Sequence, residues 1–220
     1  MDDTSGDQYY TPGDVAGRLF FTDGDGESTD PDAAIFAALD GDWERLEPEA
    51  AALLADESAG AYDRYLALTA LARWGSPIGY AGVCAAAAEP DAQGWREMSV
   101  DRLYSLDNTF AMLSESVVDS LDEAEQRGTT AERLAALAAL VGIVDQVYFE
   151  HNLSPSGLLN EDIAALRGPI ETAIERGLGE LAAALVAPPQ WVRDQLMGLI
   201  NALGLVDKGA ADAYLARLAS

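Results

Sequence analysis

Several stretches of this sequence bring together side chains whose types and spacing could do chemistry. The run Asp119-Ser120-Leu121-Asp122-Glu123-Ala124-Glu125 sets Asp119, Asp122 and Glu123 on one helical face. Carboxylates so placed can hold Mg²⁺ with a diphosphate, provided a second charged group faces them across a cavity. The sequence identifies no such group, and the face reads instead as an acidic ridge turned toward a cationic partner. Asp23-Gly24-Asp25-Gly26-Glu27 places acids at alternate positions, as the start of a calcium loop does. The EF-hand frame then fails, with Ser28 at its sixth position in place of Gly and Ala34 at its twelfth in place of Glu. A solvated acidic loop is the expectation.

His151 lies near Asp145, Tyr148 and Glu150 in sequence. Acid–base work by a histidine needs an orienting carboxylate and a nucleophile or substrate within reach. Adjacent side chains on a helix diverge, so Glu150 cannot orient it, and a helix-end position favoured by the negative pole of the dipole is expected. Cys84, within Val83-Cys84-Ala85-Ala86, reads as an inert core thiol. With no nucleophile elbow, phosphate loop or dinucleotide fingerprint, the sequence predicts no catalytic residue, metal site or cofactor. The stretch from Gly94 to Tyr104 gathers Trp95, Arg96, Asp101, Arg102 and Tyr104. Trp, Arg and Tyr are the types enriched at interface hot spots. The competing expectation puts Trp95 in the core and pairs Arg102 with Asp101 or Asp107.

The elements that must position these groups are helices. Residues 1–29 lack helical periodicity and are expected to form an irregular acidic arm, pinned by Val15, Leu19, Phe20 and Phe21. Asp30-Pro31-Asp32 is a helix start: a capping Asp, a Pro where the lost N–H costs nothing, and an acid facing the dipole. Asp40-Gly41 ends that helix. Further helices are predicted from Pro48 to about Glu57, from Ala61 to Trp74, and from Pro77, capped by Ser76, to a stop before Pro90. Ser99 is a candidate cap for a short helix. Phe110, Leu113, Val117 and Leu121 line a longer one ending at Gly128. Thr129 and Glu132 fit a capping box opening the next helix, whose stripe is Leu134, Leu137, Val141, Val144 and Tyr148. A loop from His151 to Leu159 precedes a helix bent or broken at Gly168-Pro169, another from Leu178 to Val186, a Pro188-Pro189 corner, a helix from Trp191 to Leu203 stopped by Gly204, and a last one through Leu218.

Within this pattern, residues 49–92 read Leu53-Leu54-Ala55-Asp56, Asp63-Arg64, Ala67, Ala70-Leu71, Trp74-Gly75-Ser76-Pro77 and Glu89-Pro90-Asp91. This resembles one HEAT-type repeat of the PBS-lyase-like variety, with Asp63 where Val is usual and Ser76 where Asp is usual. The resemblance covers about a fifth of the chain and implies a pair of antiparallel helices drawn close by small residues. It says almost nothing of function, because HEAT arrays are binding surfaces of many kinds. The expected architecture is therefore an all-α, HEAT-like α-solenoid of antiparallel helix pairs. Roughly nine or ten helices in one domain over 30–220 are expected to follow the arm at 1–29.

Composition sets what this scaffold can meet. The chain has 220 residues, 49% of them apolar, with 40 Ala and 28 Leu against 11 Val and 7 Ile, so a helical core is affordable. It carries 38 acids against 13 bases, a net charge of −25. That balance excludes nucleic acid and anionic membrane surfaces as partners. Met1-Asp2-Asp3 is the reverse of a basic signal-peptide start, and a cytoplasmic location is expected. The leading reading is a non-enzymatic binding protein that presents an acidic surface to a basic protein, in its sharpest form an immunity protein or antitoxin. Its candidate partner-binding residues are Asp23, Asp25, Glu27, Asp40, Asp42, Trp95, Arg96, Asp101, Arg102, Tyr104, Asp119, Asp122 and Glu123. Two alternatives stand beside it. One is a general adaptor whose acidity reflects a salt-rich cytoplasm; the other is a helical enzyme or small-ligand binder using the Asp119–Glu125 and Tyr148–His151 faces.

Overall fold

A computed structural model describes residues 10–23, 25–101, 105–186 and 189–219. The protein is all-α. Twelve α-helices are present among the described residues, with two 3₁₀ turns and one antiparallel pair of two-residue strands. The chain forms two compact units, and the division falls between Ala67 and Leu68, inside a helix.

The N-terminal unit opens with a helix inside the segment expected to be irregular. α1 (Asp14–Phe20) buries Ala16, Leu19 and Phe20, a single 3-and-4 step too short to register as periodicity beside Gly13 and Gly17. Asp14 in its first turn and Arg18 in its last agree with the helix dipole. α2 (Pro31–Ala37) starts as its sequence dictates, with the Asp30 carboxylate accepting from the Ala33 N–H at 3.0 Å. A 3₁₀ turn at Ala38–Asp40 closes on Gly41, whose φ of 133° a side chain would resist. α3 (Trp43–Ala55) begins five residues before the expected Pro48, which lies inside it. α1 packs on both α2 and α3. The segment before α1 is tied to the start of α4 (Ala61–Arg73). The Tyr10 hydroxyl and the Gly13 N–H both donate to the buried Asp63 carboxylate, and the Tyr10 ring meets Tyr62 edge-on at 4.7 Å.

In the C-terminal unit, Gly75 at φ 70° ends α4, and Ser76 caps α5 (Pro77–Ala88) by accepting from the Ile78 N–H. A 3₁₀ turn at Pro90–Ala92 follows. Among the described residues, no short helix follows Ser99 as expected; β1 (Val100–Asp101) pairs with β2 (Leu106–Asp107), Val100 opposite Asp107. The single helix expected up to Gly128 is two, α6 (Thr109–Val118) and α7 (Leu121–Arg127). The break is held by Ser120, whose hydroxyl contacts the Val117 carbonyl at 2.9 Å and the Tyr80 hydroxyl at 2.7 Å. α8 (Thr130–Val141) packs mainly on α5 and also on α6 and α7. Its predicted capping box does not form, because the Thr129 hydroxyl donates instead to the Gly75 carbonyl at 2.8 Å. Turns from Gly142 to Leu159 lead to α9 (Asn160–Ala165) and α10 (Arg167–Ala183). α11 (Gln190–Val206) runs through Gly204 and stops at Asp207, which caps α12 (Lys208–Leu218).

Candidate functional site

A cleft of about 560 Å³ opens in the C-terminal unit between the turns after α8 and the start of α11. Its position follows from one buried residue that the sequence does not single out. The Gln195 side chain on α11 accepts from the Phe149 N–H at 2.5 Å and donates to the Val144 and Val147 carbonyls at 2.6 and 3.0 Å. Three backbone groups that leave helical pairing after α8 are thereby satisfied by one amide, which holds this segment against α11. A second clamp acts from α10: Arg176 grips Asp145 through two hydrogen bonds of 2.7 and 2.6 Å, with the Asp145 side chain 1% exposed. Glu150 follows with φ 54°, a conformation that a residue with a side chain adopts only when its surroundings impose it.

Aromatic rings form one side of the cleft. Tyr148 and Trp191 meet edge to face with centroids 6.2 Å apart, and both line it. Among the described residues, the acidic and imidazole groups lining it are Glu150, His151 and Asp194, all exposed, with no Lys or Arg beside them. Asp194 accepts from the Gln190 amide at 2.9 Å on the same helix. His151 lies in a turn ten residues beyond the last residue of α8, so the expected helix-end role does not apply; its carbonyl accepts from the Ser154 N–H and hydroxyl.

The sequence-derived site residues are dispersed. Asp23, Asp25, Glu27, Asp40 and Asp42 are exposed in the N-terminal unit. Asp23 accepts from the Asp25 and Glu27 N–H groups at 3.0 and 2.8 Å, an Asx turn that shapes the acidic loop, and Asp42 lies 3.6 Å from Arg45. Asp119 does not share a helix with Asp122 and Glu123: it ends α6 and pairs with Arg73, whereas the other two occupy the first turn of α7. Trp95 is 5% exposed against Phe110 at 5.0 Å. Arg96 donates to Asp107 at 2.6 Å and lies over the Phe110 ring, so these two hot-spot candidates staple the strand segment internally. Arg102, Tyr104 and the Asp101 side chain lie outside the described residues. Cys84 is half-buried, and burial pushes its thiol pKa up.

Arg73, Arg96, Arg133, Arg176 and Arg217 are likewise engaged by carboxylates of the chain itself. Even complete pairing of the 13 cations would leave the 25 surplus carboxylates without an internal counter-charge. Among the described residues no group of three or more His, Cys, Asp or Glu is placed to hold a metal ion, and no helix is long and apolar enough to cross a membrane. No protein family, curated protein or solved structure matches the chain.

Proposed function

We propose that this protein is a non-enzymatic helical binding module of the cytoplasm whose acidic surface captures one basic protein. The observation that carries the reading is the uncompensated charge: cations such as Arg73, Arg96 and Arg133 are engaged in internal pairs, while carboxylates such as Asp25, Glu27, Asp40, Asp122, Glu150 and Asp194 stand exposed. Such a surface steers a cationic partner and rejects anionic ones. The resemblance of residues 49–92 to a HEAT-type repeat supports a helix-pair scaffold for that surface. In its sharpest form the module is an immunity or antitoxin protein that occludes a cationic toxin such as a nuclease.

The test is affinity capture from a lysate of the source cells at about 0.1 M and about 1 M salt, between which the Debye length falls from about 10 to about 3 Å. One dominant basic protein, retained at the lower salt and released at the higher, is expected. Absence of a basic partner, or capture indifferent to salt, overturns the reading. A second reading, a general adaptor adapted to a salt-rich cytoplasm, is favoured by the single lysine, Lys208, among 13 cations. It predicts unfolding at low salt.

A further inference from the structure

We propose that the cleft beside Tyr148 and Trp191 binds an arginine side chain presented by the basic partner. The inference rests on the reading of a basic partner and gives it a contact point. Three independent features of the cleft converge on a guanidinium. Its aromatic side is a Tyr–Trp pair, and Trp and Tyr rings attract a cation through their quadrupole, most strongly when it is partly desolvated. Among the described residues, its charged lining includes two carboxylates, Glu150 and Asp194, and no Lys or Arg. The cavity, about 560 Å³, is large enough to take one long side chain with its flanking backbone.

Arginine fits these features better than lysine. Its planar fork can pair with a carboxylate while its face stacks on an aromatic ring, two demands that a compact ammonium cannot meet together. The site is also built before any ligand arrives. Gln195 fixes the backbone at Val144, Val147 and Phe149, and Arg176 fixes Asp145. Side chains carried on a segment so held lose little further freedom on binding. Glu150 is the sharpest sign of that imposed geometry, since its φ of 54° would suit glycine better, yet the position carries a carboxylate at the cleft.

The proposal is tested on the full chain with a capped Gly-Gly-Arg-Gly-Gly peptide, and with the same peptide carrying citrulline, the neutral isostere, in place of arginine. Binding is read by the NMR shift of the Trp191 indole N–H. A saturable shift with the arginine peptide, weakened about tenfold by citrulline, is expected. Asp194→Asn, at an exposed position whose side chain accepts from Gln190, weakens binding several-fold without altering the fold; Trp191→Ala abolishes it. Equal binding of the two peptides, shifts confined to the Asp23–Glu27 loop, or an Asp194→Asn variant that binds as well as wild type overturns the proposal. Capture from lysate separates its failure from that of the wider reading. If wild type and Asp194→Asn retain the same basic protein equally, the cleft is not its contact point although the partner is real. If wild type retains none, the partner reading falls and the peptide result stands alone.

Discussion

Arg133 ties three helices together through one guanidinium. Its side chain is fully buried, and its guanidinium donates to both oxygens of Asp162 at 2.8 and 3.0 Å and to the Val117 and Val118 carbonyls at 2.9 and 2.7 Å. The two carbonyls belong to the last turn of α6, where a cation is favoured by the dipole, so one side chain joins α6, α8 and α9. A buried charge is tolerated only with such complete satisfaction. Asp162→Asn therefore leaves the guanidinium without its counter-charge and destabilises the fold by about 3–5 kcal/mol, measurable by urea denaturation. In the N-terminal unit, Asp63 receives Tyr10 and Gly13. Burial and the Asp63 carboxylate raise the Tyr10 pKa above its ordinary value. A raised folded-state pKa means that the contact contributes fully below the unfolded value of about 10 and is lost as pH rises through the folded one. Asp63→Val releases this segment, and hydrogen exchange at the Gly13 N–H accelerates while the C-terminal unit keeps its protection.

Helix starts were legible because their chemistry is local: Asp30-Pro31 and Ser76-Pro77 cap α2 and α5 as their sequences require. Breaks and extensions were not, because distant partners decide them. Thr129 abandons its box for the Gly75 carbonyl, Ser120 divides α6 from α7 with help from Tyr80, and α11 passes Gly204 to end at Asp207. The cleft was half legible. Tyr148, Glu150 and His151 drew attention by type, but Gln195 and Asp194 arrive from a helix about 45 residues away, and a glutamine within an apolar pattern has no local signature. Arg133 did leave a trace: with Leu137, Leu140, Val141 and Val144 it falls on one face at helical spacing. Gly79 gives the element-scale test. Alanine inside a helix normally gains up to about 1 kcal/mol over glycine. Here an added Cβ would lie 2.4 Å from the backbone of Leu71 and Ala72, so Gly79→Ala lowers stability by about 1–3 kcal/mol, checked by thermal and urea unfolding. Asp207 supplies another: its bonds from the Ala210 N–H and from Arg167 lower its carboxyl pKa. A lowered folded-state pKa favours the fold above the unfolded value and is lost as pH falls through the folded one. The Asp207 carboxyl resonance accordingly titrates below about 3.9, and α12 frays only below that midpoint.

At the scale of the whole molecule, the charge is uneven. Residues 1–67 hold 17 acids and 3 bases, while 68–220 hold 21 and 10, so the smaller unit bears the larger net charge. Self-repulsion of this kind weakens a compact state and is relieved by screening. The melting temperature is expected to rise between about 0.01 M and about 0.1 M salt and then level off, since the Debye length has by then fallen from about 30 to about 10 Å. A continued climb into molar salt, with unfolding at the low end, would instead favour the salt-adapted reading. Steering by surplus charge acts on the rate of encounter more than on the lifetime of the complex. The most direct measurement is therefore stopped-flow association with the captured basic partner across the same salt series. An association rate that falls at least about tenfold toward high salt, while dissociation changes little, is expected. An association rate independent of salt would contradict it.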